Sequence, residues 1–155
     1  MGKRVMRINE MPGDPPRGRR RGNDLGEVAA ASSDVGRPLA GRRVLVAEDN
    51  VILSMHVAHV LEGAGAEVLG PYPFADEALS ALDAGACDAA VLDHELMDST
   101  SEGVADRLAQ MGVPYAYFTS HEASEVAGAR DGVPVLSKPN DAGALLGAVS
   151  SILRG

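Results

Sequence analysis

Residues 44–50 read VLVAEDN, and this stretch decides the fold of the chain. Its first four residues form a continuous apolar run, which is typical of a strand buried on both faces of a parallel sheet. Glu48, Asp49 and Asn50 end the run. The stretch therefore predicts a buried strand that carries polar side chains at its carboxyl end.

The same alternation of apolar runs and amphipathic segments continues to the end of the chain. One helical face is predicted by the spacing of Val51, Met55, Ala58 and Leu61. This helix ends at Gly63 and Gly65. Further strands are predicted at 67–70, 89–92, 115–119 and 133–136. Further helices are predicted at 75–84, around 104–111, weakly at 122–129, and at 141–153 with Asp141 as the N-cap. Five strands alternating with five helices predict an α/β doubly wound parallel sheet with helices on both faces.

Length and composition exclude several classes of protein. The 155 residues have room for one domain, and 45% hydrophobic with 23% charged residues is the usual mix for a globular protein. No stretch approaches the roughly 18 consecutive apolar residues of a membrane span. The N-terminus lacks the apolar segment of a secretory signal. Because the single Cys87 cannot form an internal disulfide, we expect a cytoplasmic location.

The charge of the chain is divided between two segments. Residues 1–43 carry a net charge of +5, whereas residues 44–155 carry −13. Residues 1–41 are rich in Gly, Pro, Ser and Arg and contain no aromatic residue, so we expect a disordered basic tail there and one domain at 42–155. The arginines at 17 and 19–21 suit nucleic acid, but without stacking aromatics we do not expect that partner. A solvated linker, an extension upstream of the true start and a contact with the acidic domain stay open.

Polar residues follow four of the predicted strands. Glu48 and Asp49 follow the first, Asp93 the third, Thr119 the fourth and Lys138 the fifth. In a doubly wound sheet the carboxyl ends of the strands meet at one edge, so these side chains should converge.

Three carboxylates, one hydroxyl and one ammonium group would form an unusual site. Carboxylates crowded together repel each other unless a cation neutralises them, and an all-oxygen site suits Mg²⁺. With metal bound, one aspartate can act as a nucleophile and form an aspartyl phosphate. Lys138 and Thr119 would then stabilise the phosphoryl oxygens.

These residues, together with the Lys138-Pro139 dipeptide, resemble the receiver domain of two-component response regulators over residues 43–154. The resemblance implies a flavodoxin-like sheet of order 2-1-3-4-5, one Mg²⁺, and a histidine kinase or histidine phosphotransfer protein as phosphodonor. It implies that Asp93 is the phosphoacceptor and that Thr119 and Lys138 contact the phosphoryl group. The implied metal ligands are Asp49 and Asp93 directly, Glu48 through water and Glu95 through its backbone carbonyl. The Lys138–Pro139 bond would be cis.

The chain departs from the family pattern in several places. Val135 stands where receivers usually carry a signalling aromatic, and the loop at 93–103 is long. Residues 117–120 read YFTS, a partial match to the Phe-Ala-Thr-Gly signature of a subgroup of stand-alone receivers. We place four residues at the rim of the pocket: Asn50, His94, Ser120 and His121.

Three functions from different classes are compatible with this chemistry. The first is a single-domain receiver in a phosphorelay that signals through protein partners and catalyses only its own phosphorylation and dephosphorylation; no output domain is expected after residue 155. The second is a Mg²⁺-dependent phosphohydrolase with the same aspartyl-phosphate chemistry, although no cap insertion is evident. The third is a flavodoxin, which an acidic first loop disfavours because it would repel the flavin phosphate.

Overall fold

A computed structural model describes residues 36–126, 132–138 and 141–155. Residues 1–35, which hold most of the predicted tail, lie outside the described residues. The compact unit comprises Pro38–Gly155, so it begins four residues before the predicted boundary. The reason is Leu39, which is fully buried and donates its backbone N–H to the carbonyl of Ala64 at 2.9 Å.

The unit is a five-stranded parallel sheet in the order β2-β1-β3-β4-β5. Its strands are β1 (Arg43–Ala47), β2 (Glu67–Tyr72), β3 (Ala89–Leu92), β4 (Tyr115–Thr119) and β5 (Val135–Ser137). The described helices are α1 (Val51–Gly63), α2 (Ala75–Ala84), α3 (Glu102–Met111) and α4 (Ala142–Arg154). The predicted α/β doubly wound fold with order 2-1-3-4-5 is confirmed.

The helices cover both faces of the sheet, because side chains alternate between the faces along each buried strand. Val44 and Val46 pack on one face with α1 and α4. Leu45 and Ala47 pack on the other face with α2 and α3. Within the described part of the chain, no helix is long and apolar enough to cross a membrane.

The fourth of the five predicted helices is not an α-helix in the described residues. Ala123–Glu125 forms a short 3₁₀ turn, and Val126 follows it without regular structure. The remainder of the predicted helix, 127–129, lies outside the described residues. Glycines at 128 and 132 disfavour a continuous helix here, which agrees with the weak periodicity of the segment.

The buried face of α1 differs from the predicted one. Ser54, Val57 and Leu61 face the sheet, whereas Val51 and Met55 are 70% and 65% exposed. The helix is apolar at so many positions that more than one face fits a helical period. Packing against the sheet, and not the spacing alone, selects the buried face.

Candidate functional site

The strand ends bring the predicted site residues to one edge of the sheet. Ala47 pairs with Leu92 in the β1–β3 register, so the residues that follow them are neighbours. The backbone N–H of Asp93 donates to the carbonyl of Ala47 at 2.8 Å, and that of Lys138 donates to the carbonyl of Thr119 at 2.9 Å. These hydrogen bonds extend the sheet by one residue and fix the backbone beneath the site.

Three carboxylates form the centre of the site. Glu48, Asp49 and Asp93 each offer an oxygen atom, and these oxygens lie within 4.8 Å of one another. Glu48 and Asp93 are buried, and Asp49 is partly exposed. Among the described residues, this is the one group of three or more acidic, histidine or cysteine side chains that could hold a metal ion. A hard oxygen-only donor set fits Mg²⁺.

Lys138 lies directly against two of these carboxylates. Its Nζ atom is 2.8 Å from Oε1 of Glu48 and 2.9 Å from Oδ2 of Asp93. Burial alone would lower the pKa of Lys138, but the hydrogen bonds to Glu48 and Asp93 raise it above its ordinary value. The ammonium group is therefore charged and neutralises part of the acidic cluster.

Glu48 is held in an unfavourable environment for a carboxylate. Its burial raises its pKa to about 7, and the charge of Asp93 adds to this effect. Hydrogen bonds from Lys138 and from the backbone N–H of Asn50, at 3.0 Å, act in the opposite direction. A buried carboxyl that ionises near neutral pH is suited to bind a cation that compensates its charge.

Thr119 and Asp93 are both fixed by the residues that follow them. Thr119 is fully buried, and its Oγ1 accepts a hydrogen bond from the backbone N–H of His121 at 3.2 Å. Oδ1 of Asp93 accepts one from the backbone N–H of His94 at 2.7 Å. Oδ2 of Asp93 bonds to Lys138, so both oxygens of the predicted phosphoacceptor are already oriented.

The predicted rim residues occupy different depths. Ser120 is exposed and His121 is half-buried, whereas His94 is only 7% exposed and lies beneath the rim. Asn50 is exposed, and its side chain accepts from the backbone N–H of Leu53 at 2.9 Å as the N-cap of α1. The backbone of Glu95 pairs with Thr100 in an isolated antiparallel bridge, and its role as a metal ligand stays a prediction.

The predicted cis bond before Pro139 lies outside the described residues. The described chain has a cis bond between Gly70 and Pro71.

Asp98 has a structural role that the sequence does not reveal, in the loop at 93–103, here called the acceptor loop. Its carboxylate accepts hydrogen bonds from the backbone N–H groups of Ala75, at 2.7 Å, and Asp76, at 3.2 Å, at the start of α2. Phe74, at the N-cap position of α2, offers no side-chain hydrogen bond. Because Asp98 comes 23 residues after the helix start, no local capping pattern could have predicted this contact.

This sheet order, with an acidic cluster and a lysine at its carboxyl edge, defines a receiver (CheY-like) fold, and the structural neighbours of the chain are response regulator receiver domains. A response regulator receiver protein from Sinorhizobium medicae WSM419 shares 27% identity at a TM-score of 0.67, covering 74% of this chain and 95% of its own. SdrG from Sphingomonas melonis Fr1 shares 27% identity at a TM-score of 0.64, covering 75% and 98%. The predicted resemblance is thus confirmed.

A longer protein is also similar to this chain. The response regulator PhyR from Brucella abortus shares 24% identity at a TM-score of 0.66. The match covers 82% of this chain and 53% of PhyR, so the chain spans about half the length of that protein. No family model matches the chain, and no curated protein matches it.

Proposed function

We propose that this chain is a receiver that accepts a phosphoryl group on Asp93 from a histidine kinase or a histidine phosphotransfer protein. The observation that carries the proposal is the contact of Lys138 with both Asp93 and Glu48, beside a third carboxylate, Asp49. The phosphorylated chain would signal through a protein partner in the cytoplasm. Beyond its own phosphorylation and dephosphorylation we assign it no enzymatic activity.

The arrangement supports the following transfer. A carboxylate oxygen of Asp93 attacks the phosphorus of a phosphohistidine, a P–O bond forms, and the P–N bond breaks. The imidazole of the donor leaves as the neutral base after it takes up a proton. Mg²⁺ held by Asp49 and Asp93, with Glu48 through water, would neutralise the phosphoryl oxygens. Lys138, already 2.9 Å from Asp93, can follow the negative charge onto the phosphoryl group.

A surface next to the site suits the phosphodonor. Val51, Ile52 and Met55, here called the α1 patch, are 70%, 81% and 65% exposed. They begin two residues after Asp49, on the first turns of α1. Exposed apolar side chains that lie together often mark a protein interface. We assign the α1 patch to the docking of the donor, which must bring its phosphohistidine to Asp93.

Phosphorylation by acetyl phosphate tests the proposed function. With Mg²⁺, intact mass spectrometry should show one labile phosphoryl adduct per chain, and Asp93→Asn and Asp49→Ala should abolish it. Asp83→Asn, at the exposed ion pair with Arg107, should form the adduct at the wild-type rate. An adduct that persists in Asp93→Asn would refute the phosphoacceptor assignment. Multiple turnover on phosphate esters would instead favour a phosphohydrolase.

A further inference from the structure

His94 and His121, here called the histidine pair, join the acceptor loop to the segment after β4. Their ring centroids lie 5.0 Å apart at an interplanar angle of 73°. This is an edge-to-face contact within the range in which aromatic rings attract each other. The pair therefore connects the residue after Asp93 with the residue two positions after Thr119.

His121 also contacts three further residues, Thr119, Glu95 and Glu125. Its backbone N–H donates to Oγ1 of Thr119, so a displacement of the threonine is transmitted to His121 unless that bond breaks. Its ring nitrogens lie 3.5 Å from a carboxylate oxygen of Glu95 and 3.6 Å from one of Glu125. Glu95 belongs to the acceptor loop and Glu125 to the 3₁₀ turn. His121 is thus the common neighbour of Thr119, the acceptor loop and the 3₁₀ turn.

His94 is attached to the phosphoacceptor at the other end of the pair. Its backbone N–H donates to Oδ1 of Asp93 at 2.7 Å, and its carbonyl accepts from the backbone N–H of Ser101 at 2.8 Å. The ring is buried, and its Nδ1 atom has no hydrogen-bond partner among the residues that the structure describes. The contact of this ring with His121 therefore does not depend on a hydrogen bond at Nδ1.

Strand β5 offers no aromatic side chain for the coupling that receivers usually place there. Its three residues are Val135, Leu136 and Ser137, and Val135 is half-buried. We propose that the histidine pair supplies this coupling: occupation of Asp93 moves Thr119 and His94, and their movement reaches the 3₁₀ turn through His121. His94 and His121 are then positioning residues. The proposal rests on the proposed receiver function.

Beryllofluoride, which mimics the phosphoryl group on aspartate, allows a direct test by NMR. In the Mg²⁺-loaded wild type, beryllofluoride should shift the backbone resonances of Asp93, Thr119, His121 and the 3₁₀ turn (Ala123–Glu125). In His121→Ala and in His94→Ala, the shifts at Asp93 should persist, while those of the turn should fall to less than about a third of wild type. His94→Phe, which keeps a ring without ring nitrogens, should restore them. His59→Ala, at an exposed histidine on α1, should match the wild type.

The outcomes separate this inference from the function on which it rests. If the wild type fails to bind beryllofluoride at Asp93, the proposed function fails. If it binds, and both alanine variants keep the full shifts at the turn, the histidine pair does not carry the coupling. A His94→Phe variant that behaves like His94→Ala would refute the ring contact as the coupling element. Because His121 is half-buried, its variant provides the test even if the substitution at the buried His94 prevents folding.

Discussion

The ammonium group of Lys138 lies 2.9 Å from the carboxylate of Asp93, across the carboxyl edge of the sheet. The same nitrogen lies 2.8 Å from a carboxylate oxygen of Glu48, so this one ammonium group forms ion pairs with two buried acids. It also lies 5.7 Å from the centroid of the Phe118 ring, near enough for a weak cation–π attraction. Lys138 is therefore central to the electrostatic balance of the site.

Replacement of Lys138 tests this balance. Lys138→Met should lower the free energy of unfolding by about 3 kcal/mol without Mg²⁺ at pH 8, because it leaves two buried acids without their cation. Mg²⁺ should recover most of this loss, so the rise in Tm on adding Mg²⁺ should be larger in the variant than in the wild type. Thermal unfolding followed by circular dichroism, with and without Mg²⁺, measures both effects.

Arg107→Met is the matched control. It breaks the 3.0 Å ion pair with Asp83 on the surface, which contributes about 0–1 kcal/mol, and its response to Mg²⁺ should equal that of the wild type. An equal Mg²⁺ response in Lys138→Met and wild type would contradict the role given to Lys138.

If the donor docks on the α1 patch, a substitution there should slow phosphorylation by histidine kinases but not phosphorylation by a small donor. Ile52→Glu should lower the rate of phosphotransfer from a panel of autophosphorylated histidine kinases at least about tenfold, which corresponds to roughly 1.4 kcal/mol of docking energy. Its phosphorylation by acetyl phosphate should stay within twofold of wild type, because this small donor needs no docking surface. Ala109→Glu, at an exposed position of α3, serves as the control. Equal loss with both donors would show damage to the site and not to docking.

The packing of α1 predicts which apolar residues stabilise the fold. Leu61 is fully buried between α1 and the sheet, so Leu61→Ala should cost about 2–5 kcal/mol of unfolding free energy. Met55→Ala, at a side chain that is 65% exposed, should cost less than about 0.5 kcal/mol. Urea denaturation of the two variants measures the difference. Similar losses would mean that Met55 packs in the core, as the sequence pattern alone suggested.

Most of the sheet and the central residues of the site could be predicted from the sequence. Three buried strands, β1, β3 and β4, were predictable because each is a short, mostly apolar run followed by a polar residue. The strands at 89–92 and 115–119 and the helix at 75–84 have the predicted bounds. The convergence of Glu48, Asp49, Asp93 and Lys138 followed from parallel topology, which places all carboxyl ends at one edge.

Other features were beyond the sequence for physical reasons. The buried face of α1 depends on packing against the sheet, because Val51, Ile52 and Met55 are as apolar as the residues that are buried. The burial of His94 depends on contacts with residues distant in sequence, such as the ring of His121 at 5.0 Å. Asp98 contacts two residues at the start of α2 that precede it by 23 and 22 positions in the sequence. Local propensities carry no information about such a distant pairing.

The contact between Asp98 and α2 predicts a specific dependence of stability on acid. Hydrogen bonds from the backbone N–H groups of Ala75, which has the larger effect, and of Asp76 lower the pKa of Asp98 below its ordinary value. The stabilisation is therefore fully present above the unfolded-state pKa of about 4 and is lost as the pH falls through the lower pKa of the folded state.

Asp98→Asn keeps an acceptor for Ala75 but loses the negative charge at the helix N-terminus, so it should be less stable than wild type at pH 7. The difference between the two should shrink as the pH falls toward 2, whereas Asp98→Ala, which also loses the hydrogen bonds, should stay less stable than Asp98→Asn throughout. Thermal unfolding of the three proteins between pH 7 and pH 2 measures this, and parallel curves for wild type and Asp98→Asn would show that the charge of Asp98 does not stabilise the start of α2.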